Sequence, residues 1–345
     1  MQIVTVQDET TPLLIENPKI EVYKDCVFAP MRLSSEHGGS FWANHHWGVY
    51  DQDGNLVPGA AFSYLPNFEI SGQNEICLHE ISNISYAPTQ QYFYVGNLIN
   101  HYGHFLCSSM ARAWALSEIN LNRVPLLGHS EGPPFHWFKH YSFFRPLFGA
   151  VGVSQEDFAH FEKPVRIREL IVAHPAMVER NLIHKVYAQT MNTVGDRLTK
   201  GLEQPRPRNI VYLSKAQHFH SSQGLLNETE ITDYMEAEGV SVVSPEQLPI
   251  AEQIALFRST RCIIGQCGSA MHTSVFVRPR SDQVMISLID KPQCYSSNAG
   301  MIDAANGSRT IFVYCEGETI GGGPARRLLN PQQAARDMLA LARSQ

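Results

Sequence analysis

From about residue 209 onward the chain alternates short apolar runs with helical segments, and nothing else narrows its fold as much. NIVYLSK, VSVVSP, RCIIGQ, QVMISLID and TIFVYCEG read as strands. ETEITDYMEAEG, AEQIALFRST, SAMHTSVFVRP and NAGMIDAANG read as the helices between them, and PQQAARDMLALARS as a terminal helix. Strand and helix in regular alternation mean βαβ crossovers and a parallel, doubly wound sheet with helices on both faces.

The first half reads differently. Residues 1–94 are short strands broken by turns, with a hairpin in HHWGVYDQDGNLVPGAAFSY where Asp53-Gly54 suits a type I′ turn. The three- and four-residue steps among Phe105, Leu106, Ser109, Arg112, Ala113 and Leu116 predict a helical stretch from Val95 to Asn120. VPLLGHS and RIRELIVAHP predict strands flanking the aromatic HWFKHYSFFRPLFG, and a helix is expected from about Val178 to Thr199. KGLEQPRPRN (200–209) is the best linker. The 345 residues exceed the roughly 250–300 at which one core stops growing, so two domains are expected. These are 1–199 (β-rich 1–94, α/β 95–199) and a Rossmann-like 205–330, with 331–345 as a terminal helix.

Composition excludes several classes. With 43% hydrophobic and 17% charged residues the chain can bury a large core rather than remain disordered. A net charge of −6 gives no global footprint for nucleic acid, and no nucleic-acid partner is expected. No apolar run reaches about 18 residues, so no transmembrane segment is expected, and the N-terminal residues lack the pattern of a secretory signal. Cys26, Cys77, Cys107, Cys262, Cys267, Cys294 and Cys315 are odd in number and form no CxxC pair. They read as reduced thiols of a cytoplasmic protein.

In open α/β sheets ligands gather at the carboxyl ends of the strands. The turn there that stands out is Ile264-Gly265-Gln266-Cys267-Gly268-Ser269-Ala270-Met271-His272. Its glycines and small residues let backbone N–H groups approach a phosphate or pyrophosphate, and a following helix dipole favours negative charge. The plainer alternative is a tight βα turn. Lys215 ends a strand at the same edge and could pair with a diphosphate or stay solvated. Asn227, beside Glu228, is a ligand or an N-cap. Glu252 either binds ribose hydroxyls or complements its helix dipole.

In the first half, NLINHYGHFLCSSMAR (97–112) concentrates polar groups at an apolar helix start. His101 and His104 are three apart and share a face, but no third ligand is spaced with them, so no metal site is expected. An imidazole at a cleft is a good general base. Its alternative is a core histidine bonded to a carbonyl.

The segment HYGHFLCSSMARAWAL, followed by RNIVYLSKAQ…NETE…SPEQLPIAEQIALFRSTRCIIGQCGSAMHTSVFVRP, resembles glycosyltransferase family 61 over about residues 95–315. That family includes bacterial capsular-polysaccharide-type transferases and eukaryotic enzymes adding GlcNAc or xylose. The resemblance implies a GT-B-like α/β architecture, two Rossmann-like domains facing a cleft. The nucleoside-diphosphate sugar, a UDP-sugar, would lie on 205–330 and a glycan acceptor on 1–199. It also implies an inverting, metal-independent reaction with no cofactor besides the donor. Peripheral membrane association and oligomeric state stay open.

By position, Lys215 stands where the family commonly has an arginine, a phosphate contact. Gly265, Gly268 and Ser269 match the glycine-rich turn at the donor diphosphate, which also holds Cys267, Ala270 and His272. Asn100, His104 and Arg112 match the N-terminal helix motif, with His101 and Ser108 beside them on the acceptor side. Cys267 replaces a frequent histidine. Ser108 replaces a frequent carboxylate four residues after His104, so the base assignment falls to His104. Two other functions compete: a non-catalytic nucleotide-sugar-binding protein, and a Cys267-dependent hydrolase. A Cys phosphatase loop would want an arginine at 273, where this chain has Thr273.

Overall fold

A computed structural model describes residues 2–4, 13–31, 47–70, 72–73, 83–119, 124–203, 207–216, 224–280, 282–291, 297–321 and 326–345. Cys77, Cys294 and residues 204–206 of the expected linker lie outside the described residues. The chain divides into two compact units, residues 12–190 and residues 1–11 with 191–345. The division falls inside a helix rather than at the linker, and strand β1 (Gln2–Val4) belongs with the C-terminal residues.

In the unit 12–190, the larger sheet is built from β2 (Ile20–Ala29), β3 (Gly48–Tyr50), β4 (Gln91–Asn97), β5 (Leu126–His129) and β6 (Val165–Ala173). They form one mixed sheet in the order β3-β2-β6-β4-β5. β2 is antiparallel to β3 and β6, whereas β4 is parallel to β6 and β5. Strands from the β-rich residues 1–94 thus join those of 95–199 in one sheet, with β2 registered on β6 from Ile20↔Ala173 to Phe28↔Val165. Buried Phe28, Tyr92, Tyr94, Leu127, Ile167 and Leu170 pack together. At the end of β5, His129 stacks on Phe28 at 4.3 Å, and its Nε2–H donates to the Ala29 carbonyl at 3.0 Å. Tyr94 Oη lies 2.8 Å from its Nδ1. Burial holds the His129 pKa down at about 3.

The helices of this unit are α1 (Tyr102–Cys107), α2 (Pro134–His140), α3 (Phe144–Ala150) and the start of α4 (Lys185–Thr199). Three expectations are corrected here. The helix predicted from Val95 starts seven residues later, because Val95–Asn97 stay in β4 through a bulge with Gly96 at φ +89°. α1 then gives way to a 3-10 helix, Ser109–Glu118. Ser108 Oγ donates to Glu179, and Ser109 Oγ accepts the Ile99 N–H; both serines of that turn are tied to other segments.

The helix expected from Val178 starts at Lys185. Before it, Met177–Val178 and Leu182–His184 pair as antiparallel strands around a turn, in which the Asn181 N–H bonds the Val178 carbonyl and Arg180 lies at φ +63°, a conformation no α-helix accepts. At Asp53-Gly54 only Gly54 has positive φ, +85°. The loop is thus not type I′, which needs both residues there, but a longer one in which Asp51 bonds the N–H groups of Asp53 and Asn55 at 2.9 Å.

In the C-terminal unit, β7 (Arg208–Leu213), β8 (Ser241–Val243), β9 (Thr260–Gln266), β10 (Val284–Ile289) and β11 (Arg309–Tyr314) are parallel, as the alternation predicts. Their order is β8-β7-β9-β10-β11, with β1 antiparallel at the β11 edge. Alternate residues point to opposite faces. Tyr212, Ile264 and Ile286 meet α5 (Thr229–Ala237), while Val211, Ile263 and Met285 meet α6 (Ile250–Ser259). α7 (Ser297–Asn306) precedes β11, and α8 (Pro331–Ser344) buries Ala335, Met338, Leu339 and Ala342 in the same cluster as Tyr212. The terminal helix is thus part of this core. The expected helix after the glycine turn is a 3-10 helix, Ser269–Phe276, whose last carbonyls are taken by Asn306, Asn192 and Arg258. No helix among the described residues is long and apolar enough to cross a membrane.

Because His129 has a lowered pKa in the fold, its unfolded form binds a proton between about pH 6.5 and 3 while its folded form does not. Its contribution, on the order of 5 kcal/mol, is therefore present above pH 6.5 and lost as pH falls toward 3. Denaturant unfolding followed by tryptophan fluorescence, Trp47 lying 4.9 Å from the imidazole, should show about one extra proton bound on unfolding. His129→Gln should remove that slope, and an unchanged slope would show that another group carries it.

Candidate functional site

The strand order of the C-terminal unit reverses between β7 and β9: β8 is added on one side of β7 and β9 on the other. At such a reversal the connections leave in opposite directions and open a crevice at the carboxyl edge. β7 ends there in Ser214-Lys215 and β9 in Cys267-Gly268. The Lys215 ammonium donates to the Cys267 carbonyl at 3.4 Å, and a Cβ on Gly268 would lie 2.6 Å from Nζ. Gly268 is needed for this approach of the lysine and not for its own backbone angles, which are extended. The Cys267 N–H bonds the Leu288 carbonyl at 2.8 Å and fixes the turn to β10.

Beneath the turn lies Glu228, 1% exposed, accepting the Lys215 N–H at 3.0 Å and the Tyr212 hydroxyl at 3.1 Å. Burial raises its pKa, moderated by those two donors. Burial also lowers the Lys215 pKa, against the pull of Cys267 and Glu228. An anion arriving at this ammonium would stabilise its charged form.

Of the predicted donor residues, the structure brings together Lys215, Cys267 and Gly268, with Ser269 and Ala270 following half-buried. The others have different places. Gly265 lies inside β9, where a Cβ would meet Leu213 at 3.2 Å, so it is a packing glycine. Asn227 bonds the Leu328 backbone through both ends of its amide at 3.0 Å and is a staple rather than an N-cap. His272 is buried within the 3-10 helix, and Glu252 is exposed on the first turn of α6. Glu228 was passed over for Asn227; its one signal was an acid just ahead of a helix in apolar surroundings.

In the unit 12–190, α1 presents His104, with His101 as its N-cap residue and the two rings 5.0 Å apart. His104 Nδ1 lies 2.8 and 3.0 Å from the two Glu179 oxygens, and Ser108 Oγ donates to the same carboxylate at 2.6 Å. The imidazole is 30% exposed and the carboxylate 4%. The Tyr64 ring stands edge-on to His104 at 6.0 Å, and exposed Asn100 donates to the Tyr141 hydroxyl at 3.2 Å. Arg112 is placed otherwise than on an acceptor surface. It is buried, donates to the Ala173 carbonyl and lies over the Tyr94 ring at 5.2 Å, and burial lowers its pKa to about 10. Glu179 was missed because its segment read as helix. Among the described residues no group of three or more His, Cys, Asp or Glu is placed to hold a metal ion.

Loss of a charged hydrogen bond is worth about 1.5–3 kcal/mol. Lys215→Ala should therefore weaken a nucleoside diphosphate roughly 10- to 150-fold in Kd by calorimetry while leaving the bare nucleoside unaffected. Gly268→Ala, which displaces the ammonium, should do the same in a folded protein. Equal losses for nucleoside and diphosphate would show that Lys215 acts only through packing.

The model of the family described as Glycosyltransferase 61 matches residues 102–284, just over half of the chain and spanning both α1 and the β7–β9 turn. A comparison with curated proteins gave no match.

Proposed function

The chain belongs to the glycosyltransferase 61 family, and from that premise we propose that it moves a sugar, with inversion, from a nucleoside-diphosphate sugar to a hydroxyl acceptor. The donor is a UDP-sugar and the acceptor a glycan in surface or capsular polysaccharide synthesis. In this reading the two units make a GT-B-like pair, with residues 191–345 holding the donor and residues 12–190 the acceptor. The observation that carries it is the Lys215 ammonium held against the Cys267-Gly268 turn at the strand-order reversal.

The proposed reaction is a direct displacement at the anomeric carbon. The acceptor oxygen attacks the anomeric carbon from the side opposite the diphosphate and forms the new C–O bond. The old C–O bond breaks, and its electron pair leaves on the nucleoside diphosphate. The hydroxyl proton passes to His104 Nε2. Lys215 and the backbone N–H groups after Gly268 meet the charge on the leaving phosphate, without a divalent ion.

The two competing readings have less support. Binding without turnover drew on the lost carboxylate at Ser108, yet Glu179 brings one to that turn. For a Cys267 hydrolase, residue 273 is a buried threonine. The five described cysteines are free thiols, in keeping with a cytoplasmic setting.

A melting screen against UDP-, GDP-, CMP- and dTDP-sugars tests the donor, since a ligand of the native state raises the midpoint; a rise with UDP-sugars is expected. Transfer should continue in EDTA; loss on chelation with recovery in Mg²⁺ or Mn²⁺ would overturn the mechanism. His104→Ala should lower kcat about 10²- to 10⁴-fold with donor affinity near wild type. A normally folded variant with normal turnover would remove His104 from the reaction.

A further inference from the structure

His104 and Glu179 are 75 residues apart in sequence, yet the carboxylate meets the imidazole edge with both oxygens. We propose that Glu179 is the positioning residue for His104, supplying from another segment the carboxylate that position 108 lacks; the assignment rests on the reading of His104 as the base. An ionised carboxylate only accepts, so Nδ1 carries the proton and the lone pair is on Nε2. When the acceptor proton arrives at Nε2, the imidazolium keeps its Nδ1–H and is stabilised by the buried anion, which is not itself protonated.

The local structure is built around this contact. Glu179 occupies the second position of the turn closed by Asn181, and the third position, where positive φ favours glycine, is held by Arg180 at +63°. That strained conformation is held in place by the Asn181 side chain. Its amide donates to the Glu179 carbonyl at 2.7 Å and the Leu65 carbonyl at 2.8 Å, and accepts the Phe68 N–H at 2.9 Å. Ser108 bonds the acid and not the imidazole, so the trio is not a nucleophile–base–acid relay with serine as nucleophile. Its hydroxyl is a second donor to an anion that would otherwise be costly to bury.

Because Ser108 Oγ lies 2.6 Å from Glu179 Oε1 and four residues along the helix from His104, an aspartate there reaches nearly the same spot. The experiment is [¹⁵N]histidine NMR at pH 8.5 on the full chain, comparing wild type, Glu179→Ala and Ser108→Asp/Glu179→Ala. The expected result is the Nδ1–H tautomer of His104 in wild type, a shift to predominantly Nε2–H in Glu179→Ala, and return of Nδ1–H in the double variant. An Nε2–H wild type, or an unshifted tautomer in Glu179→Ala, overturns the proposal. Should the single variant not fold, the double variant decides alone: Nδ1–H supports the assignment and Nε2–H overturns it. The tautomer is read without turnover, so a fully active His104→Ala enzyme would count against the base and not against this contact.

Discussion

A carboxylate taken out of water is tolerable only where donors meet its oxygens, and each of the two units is arranged around such a group. In the C-terminal unit Glu228 gathers the Tyr212 hydroxyl and the Lys215 N–H, and so sets the strand end from which the ammonium reaches Gly268. In the other unit Glu179 gathers Ser108 and His104. In both cases the buried acid holds a more exposed basic residue in a fixed geometry. Replacing either acid by an apolar residue would leave the basic group on the surface but without its anchor.

The parallel sheet was legible because its strands are buried on both faces and therefore read as unbroken apolar runs, as VMISLI does. The approach of Lys215 to the Cys267-Gly268 turn was legible for a local reason too: Gly268 and Lys215 are short-range signals at the ends of two recognisable strands. Glu179 was not, because its partner is 75 residues away and its own segment, MVERNLIH, mixes apolar and polar residues in a way that suits a helix as well as a tight hairpin. Only the hydrogen bond from Asn181 to Val178 and the left-handed Arg180 decide for the hairpin, and neither is written in periodicity.

The misread residues share a cause. Asn227 looks like a helix cap, but the Leu328 backbone supplies both a donor and an acceptor that outcompete the helix end. Arg112 looks like a surface ligand on a polar motif, but the helix turns it inward, over Tyr94. The helical stretch after Gly268 becomes 3-10 where Asn192, Asn306 and Arg258 draw its final carbonyls outward. In each, a tertiary hydrogen bond overrides a local propensity that was read correctly on its own terms.

One pairing gives the molecule an order of assembly. The edge strand of the C-terminal unit's sheet comes from residues 2–4, registered against residues 312–314. Those partners lie about 300 residues apart, so β1 finds its partner only after all the parallel strands of the sheet have been made. The intervening unit 12–190 has all its own strands available and can fold in the meantime. Closing a loop of some 300 residues adds only slowly to the entropic cost, but it delays contact formation. Until then β11 offers an open edge to other chains, so expression yield and aggregation of N-terminally altered proteins should depend on these three residues more than their small size suggests.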